Sequence, residues 1–376
     1  MSTVAEAYGL TPETLDAVAA EFDALRASVA AELGADDVNY IRRVIRIRRW
    51  SEVVGRASLY LGFLPPFWVT GTSALALSKI LDNMEIGHNV LHGQYDWTND
   101  PALQSSTFEW DSSCPPKSWQ HYHNYLHHTY TNITDIDRDI GYGVIRVSAE
   151  TPWKPSNLGN PLYALGLAAV FDWGIMLHDV DMPMVRQGRK TKAEAKDSLR
   201  RGLRQSGKLA LRDYVLWPAL TGPLFLTTLA ANAAANFIRN IWTFMIIFCG
   251  HFPTGVVEFT EEECAQESKG HWCFRQIMGS ANIKGNRLFH IMSGHLSLQI
   301  EHHLFPDLPS RRYQQIAPQV RDICRRYGIP YNTGRMSRQF GTTVAKIFRF
   351  ALPGKKQILP LRPLAPQPET EQLLAA

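Results

Sequence analysis

Eight histidines of this chain fall into short groups whose spacing could bind metal ions. The groups read H-x-x-x-H, H-x-x-x-H-H and Q-x-x-H-H, with one more histidine before the last group, and they comprise His88, His92, His123, His127, His128, His251, Gln299, His302 and His303. Residues three and four apart on a helix share one face. Neutral imidazole is the commonest metal ligand in proteins. Because one zinc ion uses about four ligands, eight imidazoles predict a site for two ions.

Neighbouring polar residues offer contacts that could orient these imidazoles. His295 stands four residues before Gln299, and the spacing places it on the same predicted helical face; it reads as a ligand, a supporting residue or a surface residue. Asp135, Asp137 and Asp139 follow the second group, and carboxylates often hold the ring N–H of a ligating histidine. We predict supporting roles for His295, Asn132 and Asp135.

A structural origin of the histidines is the main alternative. One pair could be two core histidines bonded to backbone carbonyls. Four histidines within residues 121–128 are harder to explain in that way, because each buried imidazole needs its own partners. His121 is out of phase with its neighbours, so we predict that it is not a ligand. His178, His271 and His290 have no comparable setting and are left out of the predicted site.

Composition indicates a few membrane spans attached to a sizeable cytosolic body. The chain has 376 residues, of which 20% are charged, and a mean hydropathy of −0.19 is too low for a protein that lies mostly in lipid. A net charge of +4 without a basic, aromatic stripe excludes a nucleic-acid partner. The five cysteines form no C-x-x-C pair, which argues against disulfides and an iron–sulfur site.

Apolar stretches locate the candidate spans. Residues 57–81 form one span, or a hairpin bent at Pro65-Pro66, and the sequence leaves both open. Residues 214–231 and 235–249 predict a second hairpin, whereas residues 162–177 are short and contain Asp172, which predicts an interfacial segment. The basic block at residues 186–212 is expected in the cytoplasm. An even number of crossings then places all the histidine groups on that side.

Three regions are predicted along the chain. Residues 1–50 read as amphipathic and basic helices at the membrane surface, including a helix over 11–33 that buries Leu15, Val18, Phe22 and Leu25. Residues 51–333 form the membrane domain with the histidine groups. Residues 334–376 form a partly disordered tail, rich in polar residues from Pro353 onward.

The position of the groups narrows the choice of metal. Zinc and iron both accept imidazole, so the ligand type alone does not choose between them. A site at the cytosolic end of a helical bundle suits oxidation of a long apolar chain. Removing hydrogen from an unactivated methylene needs a metal that activates oxygen, and zinc has no redox chemistry. We therefore predict two iron ions.

The strings GHNVLHGQYDW, HNYLHHTYTN and QIEHHLFPDLP resemble those of the membrane fatty acyl desaturases, and most closely the actinobacterial acyl-CoA desaturases. The likeness covers roughly residues 40–333. It implies an all-α fold, in which about four transmembrane helices anchor a cytosolic helical cap that holds two irons. The box histidines and His251 carry over as ligands, and Gln299 stands where many relatives have histidine.

The resemblance also implies a reaction and its partners. O2 and two electrons would introduce a cis double bond into a long acyl chain, most simply an acyl-CoA, at an integral protein of the cell membrane whose active site faces the cytoplasm. No haem domain with a His-Pro-Gly-Gly motif is fused to the sequence, so a separate NADPH-dependent flavin and iron–sulfur reductase is expected. Ile247 replaces a water-bridging Asn of animal relatives, so a ninth contact must come from Gln299 or His295.

Two other functions fit part of the pattern. Di-iron hydroxylases, ketolases and acetylenases use the same histidine groups. A membrane transport protein for metal ions would place its ligands inside the spans, whereas these groups flank them. The desaturase is the main prediction.

Overall fold

The computed structural model describes residues 4–354, and these are mostly helical. The α-helices are Val4–Ala7, Pro12–Ala31, Ala35–Leu59, Pro65–Ile80, Asn89–Leu91, Pro116–Trp119, Asn160–Ala169, Phe171–His178, Met182–Arg186, Lys192–Leu211, Trp217–Leu220, Phe225–His251, Glu261–Cys264, Lys269–Met278, Arg287–Met292, Gln299–Leu304, Tyr313–Arg326 and Met336–Ala351. Three π-helical segments are Leu81–His88, Gln120–His127 and Arg212–Leu216. Short 3-10 turns are Asp96–Thr98, Ile140–Gly143, Pro155–Gly159, Gly222–Leu224, Leu296–Leu298 and Ser310–Arg312.

Two short strands depart from a purely helical fold. Asn282–Lys284 and Thr333–Arg335 pair in parallel, with Ile283 opposite Gly334. The all-α prediction is therefore correct for the architecture and misses this small two-stranded sheet. The sheet joins the segment before the third histidine group to the start of the last helix.

The first long helix confirms the amphipathic pattern of the N-terminal region. Thr11 caps helix Pro12–Ala31 by accepting a hydrogen bond of 3.2 Å from the Thr14 N–H. The face predicted to be apolar is buried and packs against helices Lys269–Met278 and Tyr313–Arg326. This helix therefore packs on the two helices that flank the helix of the third histidine group.

Residues 57–81 contain the end of one helix and the whole of the next, and these two helices form a hairpin that begins at Ala35. Helix Ala35–Leu59 ends before a turn, and helix Pro65–Ile80 begins with two prolines, which suit the first helical turn because they need no intrahelical N–H partner. The two helices pack along each other. Helix Ala35–Leu59 also runs through residue 50, and strand Thr333–Arg335 runs through residue 333, so neither predicted boundary is a break in the structure.

The predicted hairpin over residues 214–249 is wrong. One continuous helix, Phe225–His251, runs through the alanine-rich stretch where the turn was expected. Alanine is the best helix former, so that stretch favours continuation. The break lies earlier, at Gly222, whose φ of +56° begins a 3-10 turn containing Pro223.

Within residues 4–354, one helix is long and apolar enough to cross a bilayer: Gly222–His251. Segments Pro155–Ala169 and Phe171–Arg186 pass the same criterion only as a pair, which is bent by 98°. The helix Met336–Ala351 lies in the region predicted as a partly disordered tail, and it buries Ile347 and Phe350. The part of that tail after residue 354 lies outside the described residues.

Candidate metal centre

The first two histidine groups lie on π-helical segments. Helix Pro65–Ile80 continues into the π-helix Leu81–His88, which ends at the first histidine of its group, and the second group occupies the π-helix Gln120–His127. A π-helical turn widens the spacing between side chains, and such turns occur mostly at functional sites. The α-helical spacing assumed from the sequence was therefore only approximate.

The third group adopts a geometry that differs from the prediction. Helix Gln299–Leu304 is only six residues long and ends ahead of Pro306, as expected. His295 lies outside it, in a left-handed turn with φ of +56°. The turn begins at Gly294, where a Cβ atom would lie 2.4 Å from the Met84 carbonyl oxygen. This close contact forces the chain to change direction, so His295 does not share a helical face with Gln299.

The predicted histidines converge into two adjoining sets. We call His88, His92, His123 and His302 the four-histidine group, and His127, His251 and His303 the three-histidine group; within each, one nitrogen per residue lies within 4.8 Å of the others. His128 lies between them: its ring centroid is 4.7 Å from that of His92, 4.7 Å from that of His302 and 4.4 Å from that of His303. Chain segments far apart in sequence thus form one centre.

Unpartnered nitrogens test whether metal ions fit these groups. Within the two groups and His128, the buried ring nitrogens without a hydrogen-bond partner among the described residues are His92 Nε2, His127 Nε2, both nitrogens of His128, His251 Nδ1, His302 Nε2 and His303 Nε2. Native proteins rarely leave buried polar atoms unpaired. The Nε2 atoms of His88 and His123 also approach to 3.2 Å. Lone pairs that face one another in a buried space fit bound cations.

Burial keeps most of these imidazoles in the neutral form that binds metals. It lowers the pKa of His88 to about 3 and holds the pKa values of His92, His128, His302 and His303 well below the ordinary value. His127 differs. Burial alone would lower its pKa, but the carboxylates of Asp137 and Asp139 outweigh burial and raise it to about 9.

Polar side chains orient the rings from behind. His127 Nδ1 lies 3.1 Å from both carboxylate oxygens of Asp137, and His303 Nδ1 lies 2.9 Å from the Gln276 amide oxygen. These contacts fix the tautomer and direct Nε2 toward the centre. The sequence did not single out Gln276, because no spacing pattern links it to the histidines.

The three predicted supporting residues have different outcomes. Asp135 is exposed, so Asp137 and not Asp135 holds His127. Asn132 acts through its backbone, since its N–H donates to Asp137 Oδ2 at 2.7 Å, while its side chain donates to Val257 and Gly279 carbonyls. His295 Nδ1 lies 2.9 Å from Glu85 Oε2, and His295 is therefore placed in a separate polar cluster.

Gln299 lies beside His251. Its Nε2 atom is 2.9 Å from His251 Nε2, and its amide oxygen has no partner in residues 4–354. Gly250 permits this approach, because a Cβ atom there would lie 3.1 Å from that oxygen. The residues left out of the predicted site include one that belongs near it: His178 Nε2 lies 3.3 Å from Asp139 Oδ1. His121 is exposed and outside both groups.

A narrow cavity of about 50 Å³ borders both groups. Its polar lining comprises Ser118, Asp139, Asp179, Gln299 and four histidines, which are His88, His123, His178 and His251. The remaining wall includes apolar and aromatic side chains from several helices, among them Tyr142, Ile175, Ile247 and Leu296. Ile247 thus faces this cavity.

The sequence of this chain is similar to those of known proteins. The family model for fatty acid desaturases matches residues 63–335. An NADPH-dependent stearoyl-CoA 9-desaturase of Mycobacterium tuberculosis is 44% identical over 350 residues, which are 92% of this chain and 82% of that protein. An sn-1 linoleoyl-lipid 6-desaturase of Synechocystis sp. is 26% identical over 304 residues, or 78% of this chain and 82% of the relative. The resemblance inferred from the histidine strings is confirmed: this chain belongs to the fatty acid desaturase family.

Proposed function

We propose that this chain is a fatty acyl-CoA desaturase that introduces a cis double bond into a long acyl chain. Overall, one –CH2–CH2– unit, one O2, two electrons and two protons would yield one –CH=CH– unit and two water molecules. The observation that carries the proposal is the pair of histidine groups with unpartnered buried nitrogens, which borders a narrow cavity.

Two iron ions would occupy these groups. The four-histidine group would hold one and the three-histidine group the other, while His128 lies close enough to serve either, and Gln299 is the candidate for a further contact beside His251. When bound, iron supplies the activation of oxygen that zinc cannot provide. The protein supplies buried imidazoles, of which His127 is oriented by Asp137 and His303 by Gln276.

This cavity, called the acyl cavity below, would hold the reacting methylenes of the acyl chain beside the histidines. Ile175, Ile247 and Leu296 offer only apolar contacts, which suit a hydrocarbon. Fixing the chain against the metal ligands is itself catalytic, because well-oriented groups react far faster than free ones. The position of the double bond would then depend on how far the chain reaches past the histidines.

The carrier end of the substrate would lie in an adjoining concavity of about 480 Å³. This concavity shares Ser118 and Asp179 with the cavity, and so the two adjoin there. Lys117 and Arg201 also line it, and these cations suit the phosphates of coenzyme A. The named substrate of the mycobacterial relative, stearoyl-CoA, supports the choice of carrier.

A belt of exposed apolar side chains supports insertion in the cell membrane. It extends over the first helical hairpin, the bent pair and the long helix, and includes Trp50, Phe63, Leu162, Leu165, Leu177, Leu220 and Leu226. Exposed apolar surface on this scale marks contact with lipid or a partner. About four membrane-embedded helices would anchor the protein. The basic helix Lys192–Leu211 would lie on the cytoplasmic side, together with the histidine centre.

The test is reconstitution of the purified protein with iron, O2, a deuterated stearoyl-CoA and an NADPH-dependent flavin and iron–sulfur reductase. We expect two irons per chain and an alkene product that has lost two deuterium atoms from the labelled acyl chain. His302→Ala should lose iron and turnover, whereas His271→Ala, a histidine outside both metal groups and outside both substrate concavities, should keep both. A hydroxylated product, or full turnover after iron removal, would contradict the proposal.

A further inference from the structure

A second concavity lies apart from the acyl cavity and contains three arginines. We call it the arginine pocket; it has a volume of about 460 Å³ and is lined by Arg43, Arg287, Arg311, Tyr40 and His295, among others. It shares none of its lining residues with the acyl cavity. The three arginines come from helix Ala35–Leu59, helix Arg287–Met292 and the turn Ser310–Arg312, so the fold brings distant cations together.

The charge of the arginine pocket is largely uncompensated. Arg43 and Arg287 are exposed and form no ion pair within residues 4–354. Arg311 lies 3.6 Å from Asp37, and its guanidinium lies 5.8 Å from the Tyr40 ring centroid. Asp36 is the only carboxylate among the lining residues. Arg43 and Arg287 therefore remain without an ion pair beside Asp36, and this leaves a positive surface that attracts an acidic partner.

A buried histidine forms the inner wall of the arginine pocket. His295 is 1% exposed, and its Nδ1 atom lies 2.9 Å from Glu85 Oε2. The other oxygen of Glu85 accepts hydrogen bonds from the Tyr40 hydroxyl at 2.7 Å and from the Ser310 hydroxyl at 3.0 Å. Glu85 is fully buried. The fold gives this buried carboxylate three polar partners, which it needs because an unpaired buried charge is costly.

From Ser310, buried hydrogen bonds continue to the metal centre. The Ser310 N–H donates to the Gln94 amide oxygen at 2.9 Å, and Gln94 Nε2 donates to the Tyr313 hydroxyl at 3.0 Å. The Tyr313 oxygen lies 3.4 Å from His302 Nδ1. A bonded path therefore joins the arginine pocket to a histidine of the four-histidine group.

This path cannot carry protons. One link is a backbone N–H and the next is an amide, neither of which exchanges a proton readily. The Tyr313 hydroxyl donates to the Phe305 carbonyl at 3.0 Å, so His302 Nδ1–H must be the donor in the last contact. The path instead fixes the ring of His302. It also offers electrons a compact route of covalent and hydrogen bonds between the surface and the metal site.

We infer that the arginine pocket is the docking site for an acidic surface of a one-electron donor protein, and that the path from His295 to His302 couples this site to the metal centre. The inference rests on the proposed function. At each docking the reduced cluster of the donor would be oxidised and the iron site reduced by one electron, and two dockings supply the pair of electrons used per double bond. Because the two concavities share no lining residue, donor and acyl substrate can bind together.

The test measures binding, which does not depend on turnover. The full chain in lipid nanodiscs is titrated with a plant-type [2Fe–2S] ferredoxin, an acidic one-electron carrier, at low and high ionic strength. We expect R43E/R287E to raise the Kd for ferredoxin about tenfold or more and to remove most of its salt dependence. R43Q/R287Q, which removes charge without adding carboxylates, should give a smaller rise. Arg204→Glu, an exposed arginine outside the pocket, should change neither quantity.

A second measurement separates docking from the chemistry. Single turnover driven by dithionite, which needs no protein docking, and iron content should be unchanged in both double variants. Equal ferredoxin affinity in wild type and R43E/R287E would overturn the inference, as would inorganic phosphate binding in the pocket while ferredoxin fails to bind. The binding result is independent of product analysis, so failure of the desaturase proposal is seen separately, as wild-type protein that binds iron but yields no alkene.

Discussion

His127 Nδ1 lies 3.1 Å from each carboxylate oxygen of Asp137, and both residues are buried. The same carboxylate accepts the backbone N–H of Asn132 at 2.7 Å and that of Asp139 at 2.9 Å. These donors hold the carboxylate in one orientation, and the carboxylate in turn orients the ring. Asp137 thus joins a local turn to the three-histidine group.

Asp137→Asn should weaken iron binding by about 10–100-fold, the usual cost of losing such a supporting contact. In this variant an NH2 group replaces one carboxylate oxygen that accepts a hydrogen bond in the wild type. The NH2 group cannot accept that bond, so the ring of His127 loses its fixed orientation. Iron retained after dialysis against a chelator measures the effect. Asp135→Asn changes an exposed carboxylate two residues away and should retain wild-type iron; equal loss in both variants would contradict the assignment.

The sequence predicted the histidines that converge, because short-range spacing already places each group on one segment. It did not predict which carboxylate supports His127. Asp135, Asp137 and Asp139 alternate in sequence, and only the left-handed turn at Asn132 and Asp135 determines that Asp137 points inward. His178 was missed for a similar reason, since its contact with Asp139 depends on the bend between two helices.

Helix limits were predictable where local signals were strong and not where they conflicted. Thr11 and the paired prolines at residues 65 and 66 begin helices, as capping and fixed φ require. The apolar run over residues 214–249 contains no local signal that favours a turn at its centre, and hydropathy alone cannot separate one long helix from two. Two π-helical segments were also unpredictable, since they arise from tertiary packing around the centre.

Gln299 tests whether the amide contributes to the three-histidine group. Gln299→Ala removes the side chain 2.9 Å from His251 Nε2, so iron content should fall and the spectrum of the bound iron should change. Gln299→His offers a ring nitrogen at the same place and should restore iron to the wild-type level. Identical iron content and spectra in wild type and Gln299→Ala would show that the amide is a bystander.

The ion pair between Asp37 and Arg312 predicts a pH-dependent stability. Arg312 Nε and Nη2 donate to the two oxygens of Asp37 at 2.8 and 2.7 Å, and the Gly34 N–H donates at 3.1 Å. Burial alone would raise the pKa of Asp37, but these hydrogen bonds outweigh burial and hold the pKa below its ordinary value. A lowered pKa stabilises the fold above the unfolded value, about 4, and the stabilisation is lost as pH falls through the folded value.

Asp37→Asn should therefore lower the free energy of unfolding by roughly 3–5 kcal/mol at neutral pH, because Arg312 is left without its buried partner. The difference from wild type should shrink as the pH falls below about 4. Thermal unfolding in detergent across this pH range measures both effects. Asp16→Asn changes an exposed carboxylate on the preceding helix and should match wild type; a constant difference at all pH values would contradict the ion-pair account.

The acyl cavity yields a prediction about substrate length. Ile175 lines the cavity on helix Phe171–His178, and Leu177 on the same helix is 53% exposed. Because the cavity measures only about 50 Å³, the indole of Ile175→Trp would fill it and displace a long chain from the histidines. A displacement of about 1 Å can cost about 100-fold in rate. We expect turnover of stearoyl-CoA to fall at least about tenfold and the preference to move to shorter acyl chains, while iron content stays unchanged.

Leu177→Trp adds the same ring to the outer face and should retain the wild-type preference. Unaltered length preference in Ile175→Trp would mean that the acyl chain does not pass this wall of the cavity.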